Sequence, residues 1–107
     1  MLTRRPMSYQ LWIEDQAKAE VERLPGHVRQ RIHQAIRRLK LEPRPHGSRA
    51  MRSPIAIDVE VRRLRLEHWR VIYIVDEAAA QVGVLAVRKR PPYDYDDLPD
   101  LLAGLQE

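Results

Sequence analysis

Four of the nine residues from Arg62 to Arg70 are arginine: Arg62, Arg63, Arg65 and Arg70. Arg88-Lys89-Arg90 forms a second basic group, and Tyr93 and Tyr95 follow it. A guanidinium is a rigid planar fork that matches phosphate oxygens two at a time. It keeps its proton near neutral pH, so it stabilises negative charge and serves poorly as a base. A tyrosine beside such a group can stack on a nucleobase or take part in proton transfer. Together these side chains suit a phosphate-bearing polyanion such as a nucleic acid. His68, next to the arginines, is of a type that can act as base, and it reads equally well as an exposed turn residue.

Other chemistries find little support. His27, His33 and His46 are dispersed, and no His/Asp/Glu spacing suits a metal. The four glycines are scattered, so no phosphate-cradling loop is written, and no Ser/His/Asp arrangement stands out. No cofactor is expected. Cysteine is absent, which removes disulfides and thiolate ligands and fits a cytoplasmic location. No apolar run is long enough to span a bilayer, and Met1 to Pro6 do not read as a signal peptide. Of the 19 cations 16 are arginine, and residues 1–93 hold all 19 against 10 acids, a net of +9. Residues 94–107 hold five acids and no base. A basic body with a short acidic tail points to an anionic partner.

The elements that position these residues read as one α+β domain over 1–107. Residues 8–14 alternate as a half-buried strand, with Tyr9, Leu11 and Ile13 on one face and Trp12 on the other. Trp12 is either a partner-binding anchor or a core residue. Glu14 and Asp15 open a helix with the stripe Ala17, Val21 and Leu24; Pro25-Gly26 ends it. A second helix runs from about Val28 to Leu41, and a loop carrying Arg44, Arg49 and Arg52 continues to about Pro54. Residues 55–66 read as a strand whose apolar parity flips after Val61, which predicts a bulge near Arg62–Arg63. Trp69 to Val75 is apolar on both faces and therefore central in the sheet, with Arg70 at its entrance; a salt bridge from Arg70 to Asp58 or Glu60 is the competing role for that side chain. Val82 to Arg88 is the last strand. Asp94 or Asp97 caps a short helix with Leu98, Leu101, Leu102 and Leu105. The expected fold is a strand, a two-helix hairpin on one sheet face, a three-stranded antiparallel meander, and a short C-terminal helix.

Nearly the whole chain resembles the RelE/ParE superfamily of toxins from type II toxin–antitoxin pairs. The resemblance lies in Leu24-Pro25 between two helices, and in a helix ending at Leu39 before Glu42-Pro43. It lies also in the run Leu64-Arg65-Leu66-Glu67-His68-Trp69-Arg70-Val71-Ile72-Tyr73, with Trp69 where the family usually has tyrosine, and in Val87-Arg88-Lys89-Arg90 followed by Tyr93 and Tyr95. RelE-like members, the branch the residues favour, are ribosome-dependent endoribonucleases that cut mRNA without metal and so inhibit translation; ParE-like members inhibit DNA gyrase with no nuclease activity, and a degenerate domain that only binds its antitoxin is a further alternative. The RelE-like pattern implies catalytic roles for Arg63, Arg70, Arg90 and Tyr95, and RNA binding by Arg62, Arg65, Arg88, Lys89 and Tyr93. Tyr93 and Tyr95 both fit the family's C-terminal tyrosine. One cation of the family's basic pair falls on Val61, so that charge is missing or displaced to Arg62 or Arg65. Implied partners are a cognate antitoxin, the ribosome with mRNA, and operator DNA through the antitoxin, with no membrane.

Overall fold

The computed structural model describes residues 8–106, with side chains through Leu105. Residues 1–7, which include the Met1 to Pro6 stretch read above as no signal peptide, and Glu107 lie outside the described residues. The chain runs β1 (Gln10–Ile13), α1 (Asp15–Glu22), α2 (Gly26–Arg38), β2 (Ser48–Met51), β3 (Glu60–Leu66), β4 (Trp69–Asp76), β5 (Gln81–Lys89), α3 (Leu98–Ala103) and a 3-10 turn at Gly104–Gln106. One five-stranded sheet has the order β1-β5-β4-β3-β2. β1 is parallel to β5, and all other pairs are antiparallel.

β4 is the spine of the sheet because it can be buried on both sides: Val71 to Val75 are each at most 3 % exposed. Its odd residues Val71, Tyr73 and Val75 pack under the helical hairpin with Ala17, Val21, Ile32, Ile36 and Leu39. Its even residues Ile72 and Ile74 face the opposite way, against Val61, Leu85, Leu98 and Leu102. The hairpin thus covers one face, and the C-terminal segment covers part of the other.

Several sequence expectations are corrected. The parity flip after Val61 is not a bulge: β3 pairs with β4 without interruption from Glu60 to Leu66. Val61 belongs to the core under α3, whereas Leu64 and Leu66 belong to the core under the hairpin. A regular strand that changes its covered face gives the same pattern as a slip. The bulge lies instead between β4 and β5, where Ile72 pairs with Ala86 and Tyr73 with Val84. Residues 55–59 are not strand, and the expected loop contains β2, which pairs with β3 through Ser48↔Leu64 to Met51↔Val61. Gly26 opens α2 and does not close α1, with Pro25 in the N-cap position. Trp12 is core-facing: it packs with the α3 cluster, over Gly83.

α1 also finishes the job of β1. Beyond the last β1 pair, Gln16 Nε2 donates to the Leu85 carbonyl at 3.1 Å, and Glu20 Oε1 accepts from the Val87 amide at 3.0 Å. Two side chains replace a missing strand along the β5 edge, which satisfies backbone groups that would otherwise stay unpaired.

Beneath the hairpin end sits a polar network. Arg44 bridges Glu60 at 2.9 Å and Glu77 at 2.6 Å; Tyr9 Oη donates to Glu77, and Arg62 pairs with Glu60 and donates to Ser48. Tyr73 Oη donates to the Pro43 carbonyl at 2.7 Å. Burial pushes the Glu60 carboxyl up, but hydrogen bonds from Arg44 and Arg62 outweigh it and hold the group below 4.5. Among the described residues no helix is long and apolar enough to cross a membrane.

Two stability predictions follow from this packing. A Cβ at Gly83 would stand 2.0 Å from the Trp12 ring. Gly83→Ala should therefore cost about 1–3 kcal/mol as overpacking, and lower Tm by several degrees in a thermal melt. Because the folded pKa of Glu60 is depressed, its contribution is present above the unfolded value of 4.5 and is lost as pH falls through the lower folded value. Glu60→Gln should thus show a smaller drop in denaturation midpoint than the parent between pH 5 and about pH 3.

Candidate nucleic-acid interface

The sheet register assembles the arginines. Arg65 pairs with Arg70 across β3 and β4, and Arg70 pairs with Arg88 across β4 and β5, so one cross-strand row carries three guanidinium side chains. Arg49 pairs with Arg63 two positions along, on the same face. Arg90 continues β5 two residues beyond Arg88. All six arginines lie on the sheet face away from the hairpin, next to the part that α3 covers.

Arg70 is the anchored member, only 8 % exposed. Its Nη1 donates to the carbonyls of Glu67 at 2.8 Å and Trp69 at 3.0 Å. Glu67 takes a left-handed conformation, φ 54°, in the β3–β4 turn, which aims its carbonyl at Arg70. The alternative salt bridge to Asp58 or Glu60 does not form; Glu60 serves Arg44 and Arg62 on the opposite face. Arg70 Nε is buried without a partner. Among the described residues Arg49, Arg63 and Arg65 have no ion pair or hydrogen bond through their side chains.

Arg88 is held differently. It is paired with Glu20 of α1 and with Asp97 Oδ2 at 2.8 Å, and its guanidinium lies 5.1 Å from the Tyr93 ring centre. Asp97 stands at the N-cap position of α3, as expected, but its side chain does not cap the helix. It accepts instead from Tyr93 Oη at 2.7 Å. Burial, with that hydrogen bond to a carboxylate, pushes the Tyr93 phenol far up, so it stays protonated and committed to Asp97. Arg90 Nη1 donates to the Tyr93 carbonyl at 2.7 Å, and its guanidinium lies 5.2 Å from the Tyr95 ring centre. The two tyrosine rings meet edge-on at 4.7 Å. Tyr95 has φ 66°, and its hydroxyl is buried without a partner. Tyr95 therefore differs from Tyr93 in one respect that matters chemically: its hydroxyl is uncommitted.

Of the residues singled out from sequence, Arg63, Arg65, Arg70, Arg88, Arg90, Tyr93 and Tyr95 converge on this face. Arg62 and Lys89 do not. Arg62 is even in a strand whose odd residues face the site, and it joins the Glu60–Ser48 network. Lys89 lies opposite Trp69, on the hairpin face. His68 is exposed in the β3–β4 turn, where its carbonyl accepts from the Arg90 amide at 2.7 Å. Sequence reasoning missed Arg49, Glu20 and Asp97 as members of the cluster. Arg49 sits on a four-residue strand too short to show a period, and the pairing of Glu20 and Asp97 with Arg88 spans 68 and 9 residues of chain.

This architecture has known counterparts. The chain is similar in structure to a RelE toxin solved with RelB from Pyrococcus horikoshii (TM-score 0.71, 24 % identity, covering 81 % of this chain and 100 % of that one). It is similar to a chain of the toxin–antitoxin complex RelBE2 from Mycobacterium tuberculosis (TM-score 0.65, 20 % identity, 78 % and 99 % covered). It also resembles an Escherichia coli RelE mutant in the free state (TM-score 0.65, 21 % identity, 92 % and 98 % covered). No curated protein matches the chain. Residues 12–91 match the family described as ParE toxin of type II toxin-antitoxin system, parDE. That match spans the sheet, the hairpin and the arginine row, and by it the chain belongs to the RelE/ParE superfamily of type II toxins.

Proposed function

We propose that this toxin is an endoribonuclease that cuts mRNA in the ribosomal decoding site and that a cognate antitoxin restrains it. The observation that carries the reading is the row Arg65–Arg70–Arg88, flanked by Arg63 and Arg90 and bordered by two tyrosines. A row of guanidinium groups on rigid strands is preorganised for a phosphate and for the extra charge of a phosphorane. Arg70, nearly buried and anchored by two backbone carbonyls, supplies fixed positive charge beneath the site, Arg63 and Arg65 offer uncommitted forks, and Arg90 closes the site beside Tyr95.

In this mechanism the 2′-hydroxyl loses its proton and its oxygen attacks the adjacent phosphorus, while the bond to the 5′-oxygen breaks and that oxygen takes up a proton, leaving a 2′,3′-cyclic phosphate and a 5′-hydroxyl. Arg63, Arg70 and Arg90 stabilise the phosphorane. Tyr95 is assigned to proton transfer or base stacking because its hydroxyl has no other bond. Tyr93 is assigned to holding Arg88 and Asp97 in place. The antitoxin partner is supported by solved counterparts that are toxin–antitoxin complexes. Operator binding through that antitoxin is part of the same proposal.

A second reading is favoured by the ParE family match itself: inhibition of DNA gyrase with no nuclease chemistry. The apolar Val61, where the RelE-like pattern has a cation, supports it. It is 2 % exposed under α3, so no charge is available there.

Programmed ribosomes with an empty decoding site separate the two. The expected result is mRNA cleavage mapped by primer extension, seen only when ribosomes are present. Folded protein that leaves mRNA intact and blocks gyrase supercoiling would establish the second reading. Within the first, Arg63→Ala and Arg90→Ala should each reduce the single-turnover cleavage rate by on the order of 10²–10³. Tyr95→Phe should reduce the rate more than Tyr93→Phe; the reverse order would reject the assignment of the two tyrosines.

A further inference from the structure

The arginine row is not the protein's only basic surface. Residues 23–41 hold six Lys/Arg and two His with no Asp or Glu. Half of these cations, Arg31, Arg37 and Arg38, sit on the outer face of α2. His27, Gln30, Arg31, Gln34, Arg37 and Arg38 are exposed there. They recur at helical spacing along the side turned away from Ile32 and Ile36, which are buried. Several of them surround a shallow depression of about 500 Å³. Arg31 is ion-paired, with Glu67 at 2.7 Å, and among the described residues Arg37 and Arg38 are not.

Glu67 connects this surface to the row. Its carboxylate takes Arg31 of α2, and its backbone carbonyl takes Arg70 of the row. The outer face of α2 and the arginine row therefore meet at the β3–β4 turn, where the one acid is already neutralised. Arg31 holds the Glu67 carboxyl below its ordinary value.

We infer that α2 is a second nucleic-acid surface, continuous with the row around the β3–β4 turn, and that it holds the backbone of base-paired RNA. This rests on the ribonuclease reading for the choice of RNA. Two features of the stripe favour a duplex backbone over other anionic partners. Between Gly26 and Arg38 it carries no Phe, Tyr or Trp, so it lacks the broad aromatic platforms on which single-strand binders rest successive bases. Within α2 it exposes no large apolar side chain; exposed Leu41 lies past the helix end, at the rim and not at the centre where a stable protein interface needs its anchors. What remains is cations and side-chain amides, which suit phosphates and ribose hydroxyls. The row, with Tyr95, keeps the single-stranded substrate; α2 grips a neighbouring helix of RNA.

The test needs neither ribosomes nor cleavage, so it can fail while the ribonuclease reading stands. A fluorescent RNA duplex of about 16 base pairs, enough to span two minor grooves, is titrated with full-length protein by anisotropy from 50 to 300 mM salt. The double variant Arg37→Glu/Arg38→Glu should bind about tenfold or more weakly at 0.1 M salt and should flatten the slope of log K against log salt by about two. Glu67→Gln removes the acid at the junction and should tighten binding by about two- to fivefold at low salt. Unchanged affinity and slope in the double variant, with the parent's thermal melt retained, would overturn the proposal. So would tighter binding to a DNA duplex of the same sequence, or loss of antitoxin binding in the double variant with RNA binding intact.

Discussion

Three arginines in one rung of a sheet repel one another, and the fold is arranged around that repulsion. Like charges roughly 5.5 Å apart at an effective dielectric near 20 repel by about 3 kcal/mol, and directly opposed like charges destabilise a strand pair. The protein offsets this in two ways. Arg70, the central and most buried member, is held by the carbonyls of Glu67 and Trp69, which carry dipoles but no net charge. Arg88, the outer member, is neutralised by Glu20 and Asp97. Among the described residues no acid compensates Arg65, Arg70 or Arg90 or, one rung away, Arg63 and Arg49, so the surface stays strongly cationic beside the neutralised Arg88.

The neutralising groups come from distant parts of the chain, and that ties the architecture together. Glu20 does double duty. It accepts from the Val87 amide at the β5 edge and pairs with Arg88 on the same strand. α1 thereby replaces a strand and sets the charge of the row at once. Asp97 joins Arg88 to Tyr93, and through the Tyr93 carbonyl to Arg90. The C-terminal segment is therefore placed by the same cation that it neutralises. The apolar side of the bargain is the packing of Leu98 and Leu102 on Ile72, Ile74 and Leu85, which leaves the polar half of this face uncovered.

The same logic distinguishes the two sheet faces. Under the hairpin, cations are consumed by structure: Arg44 and Arg62 are locked to Glu60, Glu77 and Ser48. On the far face Arg49, Arg63 and Arg65, and on the outside of α2 Arg37 and Arg38, have no acid partner among the described residues, although Arg88 and Arg31 there do. A basic residue is informative about binding only after its acid partners have been counted, and Arg62 beside Arg63 shows the difference at adjacent positions.

The sequence by itself determined the order of the elements apart from β2, the central place of β4 and the type of chemistry the basic groups suit. β4 was legible because a strand apolar on both faces has to be covered on both, and the hairpin was legible from its helical stripes and Leu24-Pro25. The family was legible from ordered local runs. What only the tertiary structure decided is which cations share a face. Side chains alternate every residue, so the placement of Arg62, Arg63, Lys89 and Arg90 depends on register. That register depended on whether the parity change at Val61 was a bulge or a change of cover, and either gives the same string of letters. β2, and with it Arg49, was hidden because four residues carry no period. Glu20 and Asp97 were hidden because ion pairs between distant segments leave no local pattern. The commitment of the Tyr93 hydroxyl, which separates it from Tyr95, exists only once Asp97 folds back over Arg88.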